Sequence, residues 1–438
     1  MRRLLIPAER LLWLAAIVVA AAVLAAGVPS LLLPWLAFAA LAAAAACADG
    51  VLALRVPLPL ASRALPGSLS LGVPHEVALR LRNPGGTTVE VQAYDHHPGE
   101  FDADGLPQTV KLAPASWAEI RYRLLPTNRG DFRFGRIEAR LASPFGLWRA
   151  RAFLGEEARL RVYPNFRALT RFTLLATDNR LSQIGVLQRR RRGEGMDFHQ
   201  LREYRLGDSL RAIDWKATSR FARPITREYQ DERDQRILLV LDCGRRMAAR
   251  DDALSHFDHA LDAALLLAHV ALRQGDAVGI MTMSGESRHL APRKSVSTVN
   301  LILNRVYDLQ PTLLTSDYYE AALEVMRRNT RRTLIVMLSN LRDEDEQTLR
   351  PALALLRQRH LVVFASLREA ILGRALTARV SGLDRALTHA AVAEYLIARE
   401  LAFRRYAAEG AVMLDVEPRT LAMSLVNRYL DLKRSGRL

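Results

Sequence analysis

The chain has 438 residues, of which 50% are hydrophobic and 25% charged, a composition that predicts two or three domains. The absence of Gly-rich, Ser-rich or Pro-rich tracts and of a fixed-period repeat argues against long disordered stretches and solenoid folds. The formal net charge is +16, but the basic residues form one tight cluster only, so we expect most of this charge to be spread over solvated faces.

An uncharged apolar stretch runs from Leu11 to Ala48, about twice the length that one helix needs to cross a bilayer. Gly27-Val28-Pro29-Ser30 interrupts it near the middle with residues that favour a turn. We therefore predict a membrane hairpin within residues 1–55, in which Leu11–Val28 crosses the bilayer and Leu31–Ala48 crosses back. A signal peptide is the competing interpretation, and the second apolar stretch, which follows without a clear cleavage region, argues against it.

The basic residues that flank the hairpin lie outside it, whereas the turn between the two helices is uncharged. They are Arg2, Arg3, Arg10, Arg55 and Arg63. Because positive residues stay on the cytoplasmic side of a membrane, we expect both termini and all soluble domains to be cytoplasmic. The two cysteines lie in distant predicted elements and are not expected to pair, which fits a reducing compartment.

Residues 60–165 contain short runs in which apolar and polar residues alternate. Three of these runs are 76–81, 118–124 and 135–141, and turn-forming sequences such as Asn83-Pro84-Gly85-Gly86 separate the alternating runs. Alternation with a period of two predicts strands that bury one face. Several short strands of this kind predict an antiparallel β-sandwich as the second domain.

The segment 189–235 mixes charges of both signs with large aromatic residues, and it contains two sets of candidate site residues. The first set is a basic patch of four residues, Arg189, Arg190, Arg191 and Arg192. The second set consists of Tyr204, Gly207, Asp208, Arg211, Asp214, Trp215, Lys216 and Arg220.

Two hypotheses account for the second set. In the first it is a charged lock that joins two domains: Asp208 caps a short helix and Trp215 anchors this helix on a hydrophobic core. An ion pair between Arg211 and Asp214 would add to this lock. In the second hypothesis Asp208, Asp214 and Lys216 form a catalytic cluster. We favour the lock, because nothing in the segment resembles an activated nucleophile with its base.

Residues 236–438 alternate continuous apolar runs with helical patterns. The apolar runs are Ile237–Leu241, Ala277–Met283, Thr333–Leu338, Leu361–Ala365 and Ala411–Leu414. Such runs are typical of strands that are buried on both faces, and their alternation with helices predicts an α/β, doubly wound parallel sheet. Sheets of this type carry their sites at the carboxyl ends of the strands, where Asp242 and Ser339-Asn340 stand here.

The chain resembles a bacterial family called domain of unknown function 58. The matching residues are Arg202-Glu203-Tyr204, Gly207-Asp208, Arg211, Ile213-Asp214-Trp215-Lys216 and Ser219-Arg220, with Asn128-Arg129-Gly130 and Ser143–Trp148 upstream. At Ser219 the family more often has Ala. The resemblance covers essentially the whole chain, and it implies a membrane hairpin, a β-sandwich, the signature segment and a von Willebrand factor A-like domain, in that order. It also implies a multi-pass protein of the bacterial inner membrane.

The same resemblance bears on metal binding. A von Willebrand factor A domain normally holds Mg²⁺ with an Asp, two Ser at the second and fourth positions after it, a distant Thr and a second Asp. The corresponding residues in this chain are Asp242, Gly244, Arg246, Thr312 or Thr315, and Asn340. Two hydroxyl ligands and one carboxylate are therefore lost and a guanidinium is added, although Mg²⁺ requires several converging oxygens. We predict neither a bound metal nor a cofactor.

We expect Asp242 instead to pair with Arg245 or Arg246, or to accept backbone N–H bonds from the turn that follows it. Asp242, Gly244, Arg246, Thr315 and Asn340 would then form a strand-end site for a protein partner. The resemblance implies a class of partner, the MoxR-type AAA+ ATPases.

The sequence thus favours a non-enzymatic, membrane-anchored adaptor, and two alternatives stay open. An enzyme would use the carboxylates of Asp208, Asp214 and Asp242. A binder of nucleic acid or anionic lipid would use Arg189–Arg192, and nucleic acid is the less favoured of the two ligands.

Overall fold

The computed structural model describes residues 3–165, 197–205, 210–230, 235–251 and 254–438. The chain divides into two compact units, Met1–Tyr163 and Pro164–Leu438. The predicted hairpin and first soluble domain both belong to the first unit, and the signature segment belongs to the second.

Two long apolar helices open the first unit. Helix α1 spans Glu9–Gly27 and helix α2 spans Leu32–Arg55, so both extend beyond the predicted crossings at the ends away from the turn. Both are long and apolar enough to cross a membrane. The indole N–H of Trp35 donates to the Val18 carbonyl at 3.1 Å, which ties the two helices together.

Twelve strands make up the rest of the first unit. They are β1 Leu4–Pro7, β2 Leu60–Ala64, β3 Ser68–Ser70, β4 His75–Arg82, β5 Val89–Asp95, β6 Phe101–Asp104, β7 Gln108–Leu112, β8 Trp117–Pro126, β9 Gly130–Phe134, β10 Ile137–Ala142, β11 Trp148–Leu154 and β12 Ala158–Tyr163. They form sheets of order β1-β11-β10-β5-β7, β2-β4-β8-β6 and β3-β12-β9. All neighbours are antiparallel except β3 and β12.

The alternation seen in the sequence corresponds to one buried face on each strand. On β4 the buried residues are Val77, Leu79 and Leu81, and the residues between them are more exposed. The two larger sheets touch through a buried polar contact, in which the Tyr122 hydroxyl of β8 donates to the Asp95 carboxylate of β5 at 2.6 Å. The first unit therefore consists of mainly antiparallel sheets, the two larger of which meet at a buried contact.

The sequence patterns did not predict β1. This strand precedes α1 and pairs with β11 in the register Ile6↔Arg149, so the first residues of the chain belong to a sheet and not only to the hairpin. A four-residue strand next to a long apolar run has too little alternation of its own to be recognised.

The second unit contains a small hairpin and a six-stranded sheet. The hairpin consists of β13 Asp197–Glu203 and β14 Ile225–Gln230, with helix α3 Trp215–Phe221 between them. The sheet consists of β15 Arg236–Asp242, β16 Ala277–Met283, β17 His289–Arg293, β18 Leu334–Ser339, β19 Leu361–Leu367 and β20 Val412–Val416. Its order is β17-β16-β15-β18-β19-β20, and only β17 is antiparallel.

Seven helices accompany the sheet. They are α4 His256–Arg273, α5 Thr298–Val306, α6 Tyr318–Arg328, α7 Glu346–Arg357, α8 Ala370–Thr377, α9 Leu383–Ala408 and α10 Pro418–Arg434. On one face of β15, Ile237 and Leu239 belong to a core with α4, α5 and α10. On the other face, Leu238 and Val240 belong to a core with α6, α7 and α9. Burial on both faces explains why the strand is continuously apolar.

This arrangement is a doubly wound sheet, as the sequence predicts. The chain runs from β15 outward to β17 on one side and then from β18 outward to β20 on the other. The direction of winding changes between β15 and β18, and such a switch point opens a crevice at the carboxyl ends of the strands.

Candidate functional site

The crevice at the switch point is centred on Asp242, the last residue of β15, which is buried. Its Oδ1 accepts a hydrogen bond from the Gly244 N–H at 2.8 Å. Its Oδ2 accepts from the hydroxyls of Ser316 at 2.6 Å and Ser339 at 2.5 Å. Asp242 thus joins the end of β15 to the end of β18 and to the loop before α6.

Burial raises the pKa of the Asp242 carboxyl, and the hydrogen bonds from Ser316 and Ser339 oppose this rise. The network extends one residue further, because the Tyr318 hydroxyl lies 2.8 Å from the Ser339 hydroxyl. Burial, followed by the charge of Asp242, raises the pKa of Tyr318 well above its ordinary value. Asp242 is therefore held by neutral hydrogen-bond donors, and the predicted backbone N–H bond from the following turn is one of them.

The predicted ion pair between Asp242 and Arg246 is wrong. The Arg246 guanidinium extends toward the loop after β18, where it pairs with Glu344 and with the buried Asp345. It also donates to the Asn340 carbonyl at 3.3 Å. Arg246 reaches these carboxylates because the loops that follow β15 and β18 meet at the switch point. The Arg245 guanidinium likewise lies near Glu344, with 4.0 Å between its nitrogen and the carboxylate oxygen.

Gly244 is required for steric reasons. A Cβ atom at this position would lie 2.6 Å from the Ser316 hydroxyl and 3.1 Å from the Leu314 carbonyl. The Ser316 hydroxyl therefore occupies the space that a side chain at position 244 would need.

The loop 311–316 is fixed to the strand ends by several hydrogen bonds. The Thr312 N–H donates to the Cys243 carbonyl at 2.6 Å, and the Thr312 hydroxyl donates to the Ser284 carbonyl at 2.6 Å. The Arg245 N–H donates to the Leu314 carbonyl at 2.9 Å. Together with Ser316, these bonds hold the loop at both of its ends.

Two leucines project from this loop into solvent. The side chain of Leu313 is 91% exposed and that of Leu314 is 59% exposed. Thr315 is also exposed, and the hydroxyl of this loop that reaches Asp242 belongs to Ser316. Leu314 and Thr315 line a groove of about 690 Å³ that is also lined by Glu324 and Arg328.

Asn340 lies buried at the end of β18, as the topology predicts for a strand-end residue. Its amide group donates to Glu369 at 2.9 Å, and Glu369 also accepts from Arg342 at 2.6 Å. Burial acts to raise the pKa of Glu369, but the bond from Asn340 and the charge of Arg342 outweigh it and lower this pKa. Asn340 therefore joins the loops after β18 and β19 and does not face Asp242.

A second buried residue that joins several strand ends at the carboxyl edge of the sheet is Arg399 of α9. The sequence patterns did not identify it. Its guanidinium donates to the Ser366 hydroxyl at 2.6 Å, to Asp415 at 2.8 Å and to the Leu341 carbonyl. These three acceptors stand at the ends of β19, β20 and β18. An Arg in a long, mostly exposed helix gives no sequence signal of this role, because most such residues are solvated.

In the signature segment, Asp214 caps α3 by accepting from the Ala217 N–H at 3.0 Å. Its carboxylate also pairs with Arg227 at 2.8 Å, where the sequence suggested Arg211. These two contacts lower the pKa of Asp214, the bond from Ala217 contributing most. The side chain of Arg211 lies outside the described residues, as do Gly207, Asp208 and the basic patch Arg189–Arg192.

Trp215 is not buried, contrary to prediction: its side chain is 71% exposed. It is the first residue of α3 and projects away from the side on which Ala217 is buried. Lys216 and Arg220 are exposed as well, and Tyr204 joins the hairpin through its backbone N–H, which donates to the Pro224 carbonyl at 2.9 Å. An exposed indole removes little apolar surface from water, so Trp215 does not stabilise a core here.

The chain thus combines a doubly wound α/β domain, with a polar crevice at its switch point, and two helices that are long and apolar enough to cross a membrane. Residues 200–385 match the family described as protein of unknown function DUF58. This match agrees with the resemblance to that family seen in the sequence motifs.

A curated relative is a protein described as uncharacterized protein YeaD, from Bacillus subtilis (strain 168). It is 25% identical over 181 residues, which are 40% of this chain and 41% of the relative. The match therefore spans about two fifths of the relative's length.

Among solved structures, the chain is similar to an aerotolerance-related membrane protein from Bacteroides fragilis, with 12% identity and a TM-score of 0.27 over 44% of this chain and 97% of that one. It is also similar to a FixG-related protein from Vibrio parahaemolyticus, with 15% identity and a TM-score of 0.19 over 24% of this chain and 98% of that one. At these TM-scores neither likeness bears on what the chain does.

Proposed function

We propose that this protein is a membrane-anchored, non-enzymatic adaptor that presents the strand-end face of its α/β domain to a protein partner. The strand-end face is the loop 311–316 with the network of Asp242, Arg246 and Asn340 beneath it. The two apolar helices anchor the chain as a multi-pass protein of the bacterial inner membrane, and the soluble domains lie in the cytoplasm.

One observation carries this proposal: a rigidly held loop exposes Leu313 and Leu314. A loop whose backbone is already held in place has little backbone entropy left to lose when a partner binds, so more of the gain from burying its apolar side chains contributes to affinity. The adjoining groove, whose lining includes Glu324 and Arg328, would supply the polar rim that such interfaces have.

The hydrogen-bond network supports a scaffolding role for Asp242. Its carboxylate already accepts three hydrogen bonds from protein groups, and a metal ion would have to replace some of them. Arg246 brings a positive charge to the same edge and holds the loops there together through Asp345. We therefore propose that the face works without a cation, in contrast to the usual von Willebrand factor A site.

The topology supports a von Willebrand factor A-like fold for residues 236–438. Numbered along the chain, the six strands lie in the order 3-2-1-4-5-6, the third strand is an antiparallel edge, and an Asp ends the first strand. The family resemblance suggests a MoxR-type AAA+ ATPase as the partner that docks on this domain.

Site-specific photo-crosslinking in native membranes tests the proposal. A photoreactive amino acid replaces Leu313 in the full-length chain, and the control carries it at Val296, which is 72% exposed. Val296 follows β17, whose Arg293 pairs with Val278 at the start of β16, so this position lies toward the opposite edge of the sheet.

We expect a discrete crosslinked protein from position 313 and not from position 296, and purified MoxR-type ATPase of the same organism should give the same adduct. The same adducts from both positions, or none from 313, would contradict a partner-binding role for this face.

A further inference from the structure

The loop Ser143–Trp148, here named the capping loop, closes over the end of the apolar hairpin that lies opposite its turn. The buried carboxylate of Asp49, in α2, accepts a hydrogen bond from the Ser143 hydroxyl at 2.5 Å. It also accepts from the N–H groups of Phe145 and Leu147, each at 3.0 Å. One carboxylate from the helix thus fixes the backbone of most of the loop.

The capping loop is also tied to both helices by other bonds. The Trp148 indole N–H donates to the Ala46 carbonyl of α2 at 2.8 Å. The Ala8 N–H, just before α1, donates to the Leu147 carbonyl at 2.9 Å, and the Arg10 guanidinium donates to a carbonyl of the loop at 3.5 Å. Because it is bonded to both helices, the loop keeps a fixed position along the axis of the hairpin.

The charged residues nearest to the apolar stretch show where the capping loop lies relative to a bilayer. Arg10 and Asp49 are the last charged residue before the apolar stretch and the first one after it. The helical parts between each of them and the turn are about 25 Å long at 1.5 Å per residue, close to the thickness of a bilayer core. If the hairpin spans a membrane, as proposed above, the capping loop lies where hydrocarbon meets the lipid headgroups.

The side chains at this level fit a lipid interface. Phe145 is 62% exposed although its backbone is fixed by Asp49. Arg10, which donates to the Phe145 carbonyl, and Arg149, which directly follows the loop, are exposed as well. Aromatic rings favour the boundary between hydrocarbon and water, and arginines there attract anionic lipid phosphates. We propose that the capping loop binds the phospholipid headgroup layer, with the Phe145 ring inserted below it and Arg10 and Arg149 contacting lipid phosphates.

The proposal can be tested on the full-length chain in lipid nanodiscs of phosphatidylcholine and phosphatidylglycerol. Cys47→Ala and Cys243→Ala remove the native thiols, and Phe145→Cys is labelled with bimane, whose ring replaces the phenyl ring. The matched control is Phe153→Cys, an exposed aromatic residue of β11 that lies about 17 Å along the strand from Trp148, the last residue of the capping loop. Val19→Cys in α1 reports insertion of the hairpin itself.

Nitroxide-labelled lipids should quench bimane at position 145 several-fold more than at position 153, and aqueous iodide should show the reverse order. Equal quenching at 145 and 153, with strong lipid quenching at position 19, would overturn the lipid-binding role of the loop while leaving the membrane anchor intact. Absence of lipid quenching at position 19 would overturn both the anchor and this inference. The crosslinking at Leu313 measures partner binding independently of either result.

Discussion

Asp242→Ala is expected to destabilise the second unit by about 3 kcal/mol. The change leaves the Gly244 N–H and the hydroxyls of Ser316 and Ser339 without their common acceptor in a buried site. Each unsatisfied buried group costs about 1–3 kcal/mol, although the hydroxyls can partly reorient. Calorimetry of the full-length chain in detergent should show the corresponding transition lowered by roughly 6–12 °C.

Asp242→Asn is the matched control and should be tolerated. The amide oxygen can still accept from Gly244, and the amide N–H₂ can donate to the hydroxyl oxygens of Ser316 and Ser339. A stability loss as large as that of Asp242→Ala would contradict the view that the residue acts through neutral hydrogen bonding.

The difference in stability between the natural chain and the Asp242→Asn variant should depend on pH, and the pKa of Asp242 determines the sign. Because burial raises the pKa of Asp242 above its ordinary value of 3.8, the folded protein binds the proton more tightly than the unfolded chain. This contribution to stability is fully present below pH 3.8 and is lost as the pH rises through the folded-state pKa. Asn does not titrate, so the Asp242→Asn variant does not lose this stability. Its free energy of unfolding relative to that of the natural chain should therefore increase as the pH rises from 3.8 through the folded-state pKa of Asp242.

Arg399→Ala should have the largest effect on the second unit, about 3–5 kcal/mol, because it removes the partner of Asp415 and of several buried acceptors. Arg399→Lys keeps the charge but not the planar fork, so we expect an intermediate loss. The control is Arg404→Ala on the same helix, where an exposed pair with Glu400 contributes at most about 0.5 kcal/mol. Equal melting temperatures of the Arg399→Ala and Arg404→Ala variants would show that the buried bonds of Arg399 do not stabilise the second unit.

The sequence predicted the parallel strands well because each is buried on both faces and therefore continuously apolar. The apolar run Ala277–Met283, for example, coincides with β16. The edge strand β17 escaped prediction, since it is short, partly exposed and contains Pro292, which is tolerated only at a sheet edge or bulge.

Residues of the candidate site could be predicted from the sequence only where the end of a predicted strand fixes their position. Asp242 and Asn340 follow buried strands, and so they could be placed at the carboxyl edge before the structure was known. Ser316 could not be told from Thr315, because the residue of a loop that points inward depends on how the loop is tethered. Trp215 was misplaced because an aromatic residue next to a helix cap suggests burial, although here only the opposite side of α3 is covered.

The structure also revises an expectation about metal binding. By residue type alone, Gly244→Ser with Arg246→Ser would return the two hydroxyls that the usual Mg²⁺ motif has and this chain lacks. A side chain at position 244 would instead collide with the Ser316 hydroxyl at 2.6 Å. In this chain the hydroxyls of Ser316 and Ser339 donate directly to Asp242, and that of Ser316 fills the space beside Gly244.

The affinity of the crosslinked partner for surface variants tests the central claim most directly. The double variant Leu313→Ser, Leu314→Ser removes the exposed apolar surface of the pinned loop, and Val296→Ser removes a comparable exposed side chain toward the opposite edge. Loss of contact residues at the centre of an interface costs about 2 kcal/mol or more, which corresponds to more than a tenfold rise in Kd. We predict such a rise for the leucine variant and an unchanged Kd for Val296→Ser. An unchanged Kd for the leucine variant, with the partner still bound to the α/β domain, would contradict the proposal that the strand-end face is where this protein binds its partner.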